Sequence, residues 1–299
     1  MWWVGTTLHT ALLSLDWSQT TLQPGWLVMG FGVMTGSVAS GCLIYRLLLT
    51  PWGYPVTWRE AFVLVTVPPI GKYLPGKALS VIGQAMLAKS FGIPLATTTT
   101  AALLFISLGL ASGLCLGVIF WNQTTPWLQN GGVWIVAGGG LLILLHPYWY
   151  RQAINGLLQR LGREPLQANL TWAGNVHLFL LLTLTNLLYI GGAVVASLGI
   201  SNLNLELLPV AIGASCLANV AGFLAFFAPA GLGVREGVLL AALTPFMDPG
   251  GAALFALSTR LIQTAADLLF ALMGWSLFLW GNRRGGIIKR RDLFRDQSN

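Results

Sequence analysis

The sequence predicts an all-α, polytopic membrane protein of about five or six full spans, with two oppositely oriented re-entrant helical hairpins forming an inverted pseudo-repeat. Three observations lead there. Of 299 residues, 55% are hydrophobic and only 8% are charged, whereas a soluble domain carries roughly 25% charged residues. The apolar residues come in continuous runs near the ~20 residues a helix needs to cross the hydrocarbon core. They show no amphipathic face, and the mean hydropathy is +0.72. Finally, two apolar regions are broken by Pro-Gly clusters that also carry charge. The composition excludes a water-soluble globular enzyme, and the lack of ~10-residue stretches of alternating polarity excludes a β-barrel.

Residues 1–15 lack the basic region and cleavage site of a signal peptide and are short for a span, which leaves an interfacial helix or a short first span. Full spans are expected at 25–49, 95–121, 133–150, 172–198 and 252–280. Trp26, Trp121, Trp149, Tyr150, Trp172 and Trp280 stand near their ends, where aromatic rings sit at headgroup level. The regions 58–93 and 207–246 are interrupted by Pro68-Pro69 and Pro75-Gly76, and by Pro229, Gly231 and Gly233. Proline removes a donor and clashes with the preceding turn, so both regions read as two-armed hairpins within a single transmembrane domain, 1–282. Residues 283–299 form a basic tail with Arg283, Arg284, Lys289, Arg290, Arg291 and Arg295.

Those bases supply much of the net charge of +7. Positive residues near a span end mark the cytoplasmic side, so the tail is expected inside, beside anionic headgroups, and nucleic acid is not an expected partner. Counting back, Arg151, Arg160 and Arg163 fall inside, the uncharged loop 122–132 outside, and Lys89, Arg59 and Arg46 inside. The first hairpin then enters from the cytoplasm and the second from the outside. Localisation follows as an integral protein of the plasma (cytoplasmic, or inner) membrane with a cytoplasmic C-terminus.

Charges inside apolar stretches are costly, about 2.5–3.5 kcal/mol each at the bilayer centre. Lys72, Lys77, Arg235, Glu236, Arg260 and Asp267 are such charges. Arg260 and Asp267, seven positions apart on one helix face, read as a structural or coupling ion pair; Arg235 and Glu236 read as a local one. A helix starting after Pro75-Gly76, or after Gly231 and Gly233, presents unpaired N–H groups and partial positive charge. With Lys72, Tyr73, Lys77, Pro229 and Arg235 alongside, these turns form a candidate anion site, most simply for phosphate. Glu236 belongs to the same site, either at the helix terminus or tethering Arg235.

Gln84, Asn175, His177, Asn186, Tyr189, Asn219 and Gln263 are expected mostly in hydrogen bonds between helices, and Thr97 to Thr100 in bonds back to their own helix. Cys42, Cys115 and Cys216 are isolated and read as small hydrophobes. No HExxH, GxSxG or phosphate-loop pattern occurs, and His9, His146 and His177 are scattered, so no catalysis, cofactor or metal is expected.

The stretch from Lys72 to Ser80, with Leu87-Ala88-Lys89-Ser90-Phe91-Gly92-Ile93, resembles the first signature of the lysylphosphatidylglycerol synthase transmembrane-region family. Pro229-Ala230-Gly231-Leu232-Gly233-Val234-Arg235-Glu236-Gly237 resembles its second. With a similar order of spans, the resemblance covers nearly the whole chain. One branch of that family is the membrane half of the multiple peptide resistance factor, which moves aminoacylated phosphatidylglycerol between leaflets. The resemblance therefore implies a flippase for an anionic or lipid-linked substrate. No counterpart of the soluble aminoacyl-transferase half is expected, because the chain ends soon after Trp280. The chain departs from many relatives at Ser80, Gly83 and Gln84 and around Leu104 and Phe105, where they carry charged residues. Two alternatives stand beside a flippase: a transporter of a small soluble anion, and a non-transporting partner of a lipid- or glycan-modifying enzyme. The partners implied are the bilayer, an anionic lipid, and either a second copy or such an enzyme.

Overall fold

The computed structural model describes residues 22–73, 78–121, 171–201, 204–225 and 228–283, with isolated positions between 146 and 160. Among these residues the regular structure is helical and no strand occurs. The main elements are α1 (Pro24–Leu49), α2 (Trp58–Thr66), α3 (Ala78–Ser90), α4 (Leu95–Trp121), α5 (Trp172–Ser197), α6 (Leu208–Leu224), α7 (Val234–Leu243) and α8 (Pro249–Arg283). Five segments are long and apolar enough to cross a membrane: Pro24–Trp52, Leu95–Phe120, Trp172–Ser197, Leu205–Leu224 and Pro249–Asn282. The protein is thus a polytopic all-α membrane protein. Four of the five match spans expected from the sequence. Leu205–Leu224 belongs to the second expected hairpin, and its 20 residues make its first arm as long as a span. The expected span at 133–150, residues 1–15 and the tail beyond 283 lie outside the described residues.

Local chemistry explains where several helices start. Pro24 and Pro249 each open a helix, where a missing N–H costs nothing. Asp248 accepts a 2.7 Å bond from Gly251 N and so satisfies a donor in the first turn of α8. Before α2, Glu60 Oε2 accepts from Thr57 N at 2.7 Å and Glu60 N donates to Thr57 Oγ1 at 3.3 Å, a reciprocal capping box.

The end of α2 is set by Pro68 and Pro69. In a continuing helix the Leu64 carbonyl accepts the N–H of residue 68, and proline has none. Gln84 of α3 supplies the donor instead: its Nε2 donates to Leu64 O at 3.1 Å and also to the Tyr45 hydroxyl of α1. Gln84 is buried, so the bond replaces one that water cannot provide. The expected interhelical role of this residue is met, and it has a specific cause in the prolines.

The chain packs as two compact units, whose boundaries fall within α1, α4, α5 and α8. The first unit, drawn from 1–37, 110–138 and 183–266, centres on α6 and α7. Its core gathers Val194, Ala211, Ala214, Leu239, Leu243 and Phe255, all fully buried. Asn186 Nδ2 of α5 donates to Ser112 Oγ of α4 at 2.6 Å within it. The second unit, drawn from 38–109, 139–182 and 267–299, centres on α2 and α3. Leu49, Ala61, Leu64, Ala88 and Leu104 form its core, and the Tyr45 and Phe105 rings stack at 5.5 Å between centroids.

Two arginines of the second unit sit against aromatic rings. The Arg46 guanidinium lies 4.5 Å from the Trp58 ring centroid and donates from Nε to Val56 O at 3.1 Å. Arg59 lies 4.9 Å from the Trp280 ring and donates to the Leu277 carbonyl near the end of α8. Such cation–π and carbonyl contacts let arginine stay charged beside apolar helices. Thr98 and Thr100 bond back to Pro94 O and Ala96 O at 3.1 and 2.9 Å, as expected of this threonine run.

Replacing Gln84 with leucine removes the donor that replaces the missing Pro68 N–H and leaves the Leu64 carbonyl unmatched. The expected loss is about 1–3 kcal/mol, measured as a lower unfolding midpoint of the detergent-solubilised protein, with a smaller loss for Tyr45→Phe.

Candidate functional site

Each unit carries one helix break, and α8 supplies a counter-charge to each. In the first unit, α6 ends at Leu224 and the chain turns through a 3₁₀ segment at Pro229–Gly231 before α7 begins. The turn lies directly on α6: a Cβ on Gly231 would stand 2.7 Å from Gly222 Cα, and Gly231 has φ +70°. Only glycine meets both conditions. Ala230 beside it also adopts a left-handed conformation, with φ 48°, at a cost of roughly 1–2 kcal/mol.

The start of α7 is occupied by its own side chain. Gly233 N donates to Glu236 Oε2 at 2.7 Å, and Glu236 Oε1 pairs with Arg260 of α8. Glu236 is 4% exposed in its side chain and Arg260 16%, so this pair is closed off. Glu236 thus meets the helix terminus, one of the two roles expected of it. Arg235 is buried in the same first turn. The chain's own carboxylate takes one donor, Gly233 N, of the helix end expected to be open to an anion.

In the second unit, α2 gives way to a 3₁₀ segment, Pro68–Tyr73, that packs against α3. Lys72 Nζ lies 2.6 Å from Asp267 Oδ2 of α8, and the Tyr73 hydroxyl donates to the same oxygen at 2.6 Å. One carboxylate oxygen thus receives a charged and a neutral donor. Lys72 keeps 38% of its side chain exposed, against 11% for Asp267. The pairing expected between Arg260 and Asp267 gives way to a separate partner for each, one at each break. Seven residues of helix is two turns, roughly 10 Å of rise, which places the two side chains beside different elements.

Of the sequence-predicted site residues, Pro229, Gly231, Gly233, Arg235, Glu236 and Arg260 come together in the first unit, and Lys72, Tyr73 and Asp267 in the second. Pro75, Gly76 and Lys77 lie outside the described residues. The other intramembrane polar residues are mainly structural. His177 bonds through Nδ1 to Ala173 O of its own helix at 2.7 Å, and Asn219 donates to Ser215 O at 2.8 Å, also within its helix. The set was expected mostly to link helices, whereas among the described residues these two bond within their own. Gln263 Nε2 and Ser215 Oγ are buried without a hydrogen-bond partner among the described residues. No group of three His, Cys, Asp or Glu gathers among those residues.

A feature the sequence did not reveal lies beside the 3₁₀ segment that carries Lys72. A cavity of about 590 Å³ runs beside the first break, lined by Ile70 and Gly71, by Gly83 and Met86 of α3, and by Leu272 and Trp275 of α8. Ser90 contributes a hydroxyl, but it donates to Leu87 O of its own helix at 2.5 Å. The remaining lining is almost entirely hydrocarbon. Met86 is 70% exposed and Leu272 64%, so the cavity is a groove open at its rim. Gly71 lines the groove and Lys72 follows it in the chain; Ala271, also in the lining, stands one helical turn beyond Asp267.

Residues 1–271 match the lysylphosphatidylglycerol synthase TM region family. The chain belongs to this family. No curated protein matches the chain. Of the signature stretches quoted above, Lys72 and Tyr73 end the 3₁₀ segment after α2 and Pro229 to Gly237 run from the turn into α7, and each place carries an acid–base pair with α8.

Breaking the closed pair has a defined consequence. Glu236→Gln leaves Arg260 buried beside a neutral group and is expected to destabilise the protein by about 3–5 kcal/mol. Replacing both by Glu236→Gln and Arg260→Met recovers part of that loss, and a double-mutant cycle on unfolding midpoints measures the coupling. Additive losses would show that the pair does not act as a unit.

Proposed function

We propose that the protein is a transporter rather than an enzyme, and that it carries an anionic amphiphile, a phosphate-bearing lipid, between the leaflets of the plasma membrane. The observation that supports this most directly is the first break, where a partly exposed cation adjoins a hydrocarbon groove. A small soluble anion needs the cation and a wet, closed path. An amphiphile needs a charged end, an apolar path beside it and an opening toward lipid. The groove at Lys72 supplies the second set.

In this reading Asp267 occupies Lys72 while no substrate is bound, and an incoming phosphate takes its place. The exchange is cheap because one anion replaces another at the same donors, and charge-assisted hydrogen bonds are kept throughout. Tyr73 remains a donor to whichever anion is present. The second pair, Glu236 with Arg260, holds the start of α7 while the first changes partners. Membership of the family supports transport across the bilayer as the general setting. The charge placement along the sequence supports a cytoplasmic C-terminus and entry of the two hairpins from opposite sides.

The test is leaflet exchange of labelled phospholipids in vesicles that contain the purified full chain. Exchange of anionic phospholipid is expected. Lys72→Ala removes a charge-assisted hydrogen bond of ~1.5–3 kcal/mol and is expected to slow exchange by about 10- to 100-fold. Asp267→Asn is expected to alter the rate while leaving the protein folded, because Tyr73 and Lys72 keep an acceptor. Uptake of soluble phosphate without lipid exchange would overturn the lipid reading. Inactivity in both assays, with a lipid- or glycan-modifying enzyme co-purifying, would replace transport by a scaffolding role.

A further inference from the structure

The groove has a property that anion binding alone does not explain. Gly83 lies in the interior of α3, where glycine disfavours a helix relative to alanine. Among the described residues, a Cβ built there meets nothing within 4 Å. No described neighbour demands a glycine at this position; its smallness adds room. Gly71 in the same lining differs, since its Cβ would stand 2.7 Å from Ser80 N and close packing requires its absence.

The space so left must be filled by something apolar. A buried water needs several polar partners, and the Ser90 hydroxyl in the lining is engaged with Leu87 O. The volume of about 590 Å³ lies in the range of ligand sites. The rim is open at Met86 and Leu272, and Lys72 stands next to the lining in the chain, so a charged group at Lys72 and a hydrocarbon in the groove fit one and the same molecule.

We propose that the groove holds an acyl chain of the anionic lipid whose headgroup meets Lys72, and that Gly83 sets the bulk of chain admitted. The chain then leaves the bilayer for the protein, instead of trailing in lipid while the headgroup moves. The choice of lipid rests on the transport reading above; the acyl-chain site stands on the groove itself.

The experiment uses the full chain in phosphatidylcholine vesicles containing a phosphatidic acid probe with a photoreactive group on one acyl chain. Crosslinks are expected in 79–90 and 271–278, falling about tenfold in Gly83→Trp and by an intermediate amount in Gly83→Leu. Both variants are checked for unchanged unfolding midpoints, and leucine raises the helix propensity of the position. In leaflet exchange, Gly83→Trp is expected to slow long-chain lipid more than short-chain lipid. Labelling of the groove that is absent, or equal in the wild type and both variants, overturns the proposal even where lipid exchange is active. Groove labelling lost in Gly83→Trp, in a protein that exchanges no lipid, upholds the acyl-chain site and removes the transport reading.

Discussion

Backbone and charged groups within an apolar slab have no water to fall back on, so each must find its partner inside the protein. The rest of this structure depends on that constraint. Pro68 and Pro69 end α2 and strand the Leu64 carbonyl, and a buried glutamine on α3 is placed to supply the missing donor. The start of α7 exposes amide donors, and Glu236 fills one of them from within the same turn. Glu236 in turn needs a cation, and Arg260 provides it. Each of these side chains answers a polar group that the helix breaks leave without its usual partner.

The two breaks resolve the same problem differently. At the second break the acid, the base and the helix start are all closed over, with Glu236 at 4% exposure, and backbone packs on backbone at Gly222 and Gly231. Such an arrangement is stiff: no member moves without leaving a charge unpaired, a penalty of several kcal/mol. At the first break the base keeps 38% of its side chain exposed and a hydrocarbon groove lies alongside. Exposure lowers the cost of separating Lys72 from Asp267, because the freed charge can be met by another anion. The two breaks therefore differ in burial, although both use one acid, one base and α8.

Much of this was legible in the sequence, for physical reasons that act locally. Continuous apolar runs of span length announce membrane helices, and four described helices lie where those runs do. Pro-Gly clusters are readable as breaks, because each acts on its immediate neighbours along the chain. The intramembrane charges were also visible, since any charge in such a run must be compensated. Their partners were not. Local spacing favours Arg260 with Asp267 and Arg235 with Glu236, whereas the structure sends Arg260 to Glu236 and Lys72 to Asp267. His177 and Asn219 likewise turned out to bond within their own helices, because a carbonyl one turn back is always within reach.

The sequence by itself determined the solvent this protein lives in, its helical class and the positions of its two breaks. All three follow from composition and from backbone chemistry, which act residue by residue. Tertiary structure alone decided which acid meets which base, that Gln84 answers for the missing N–H of Pro68 by donating to the Leu64 carbonyl, and that a glycine on α3 lines a groove beside the segment that carries Lys72. Pairings and empty space arise where separate helices approach, and no rule of spacing along one helix carries that information.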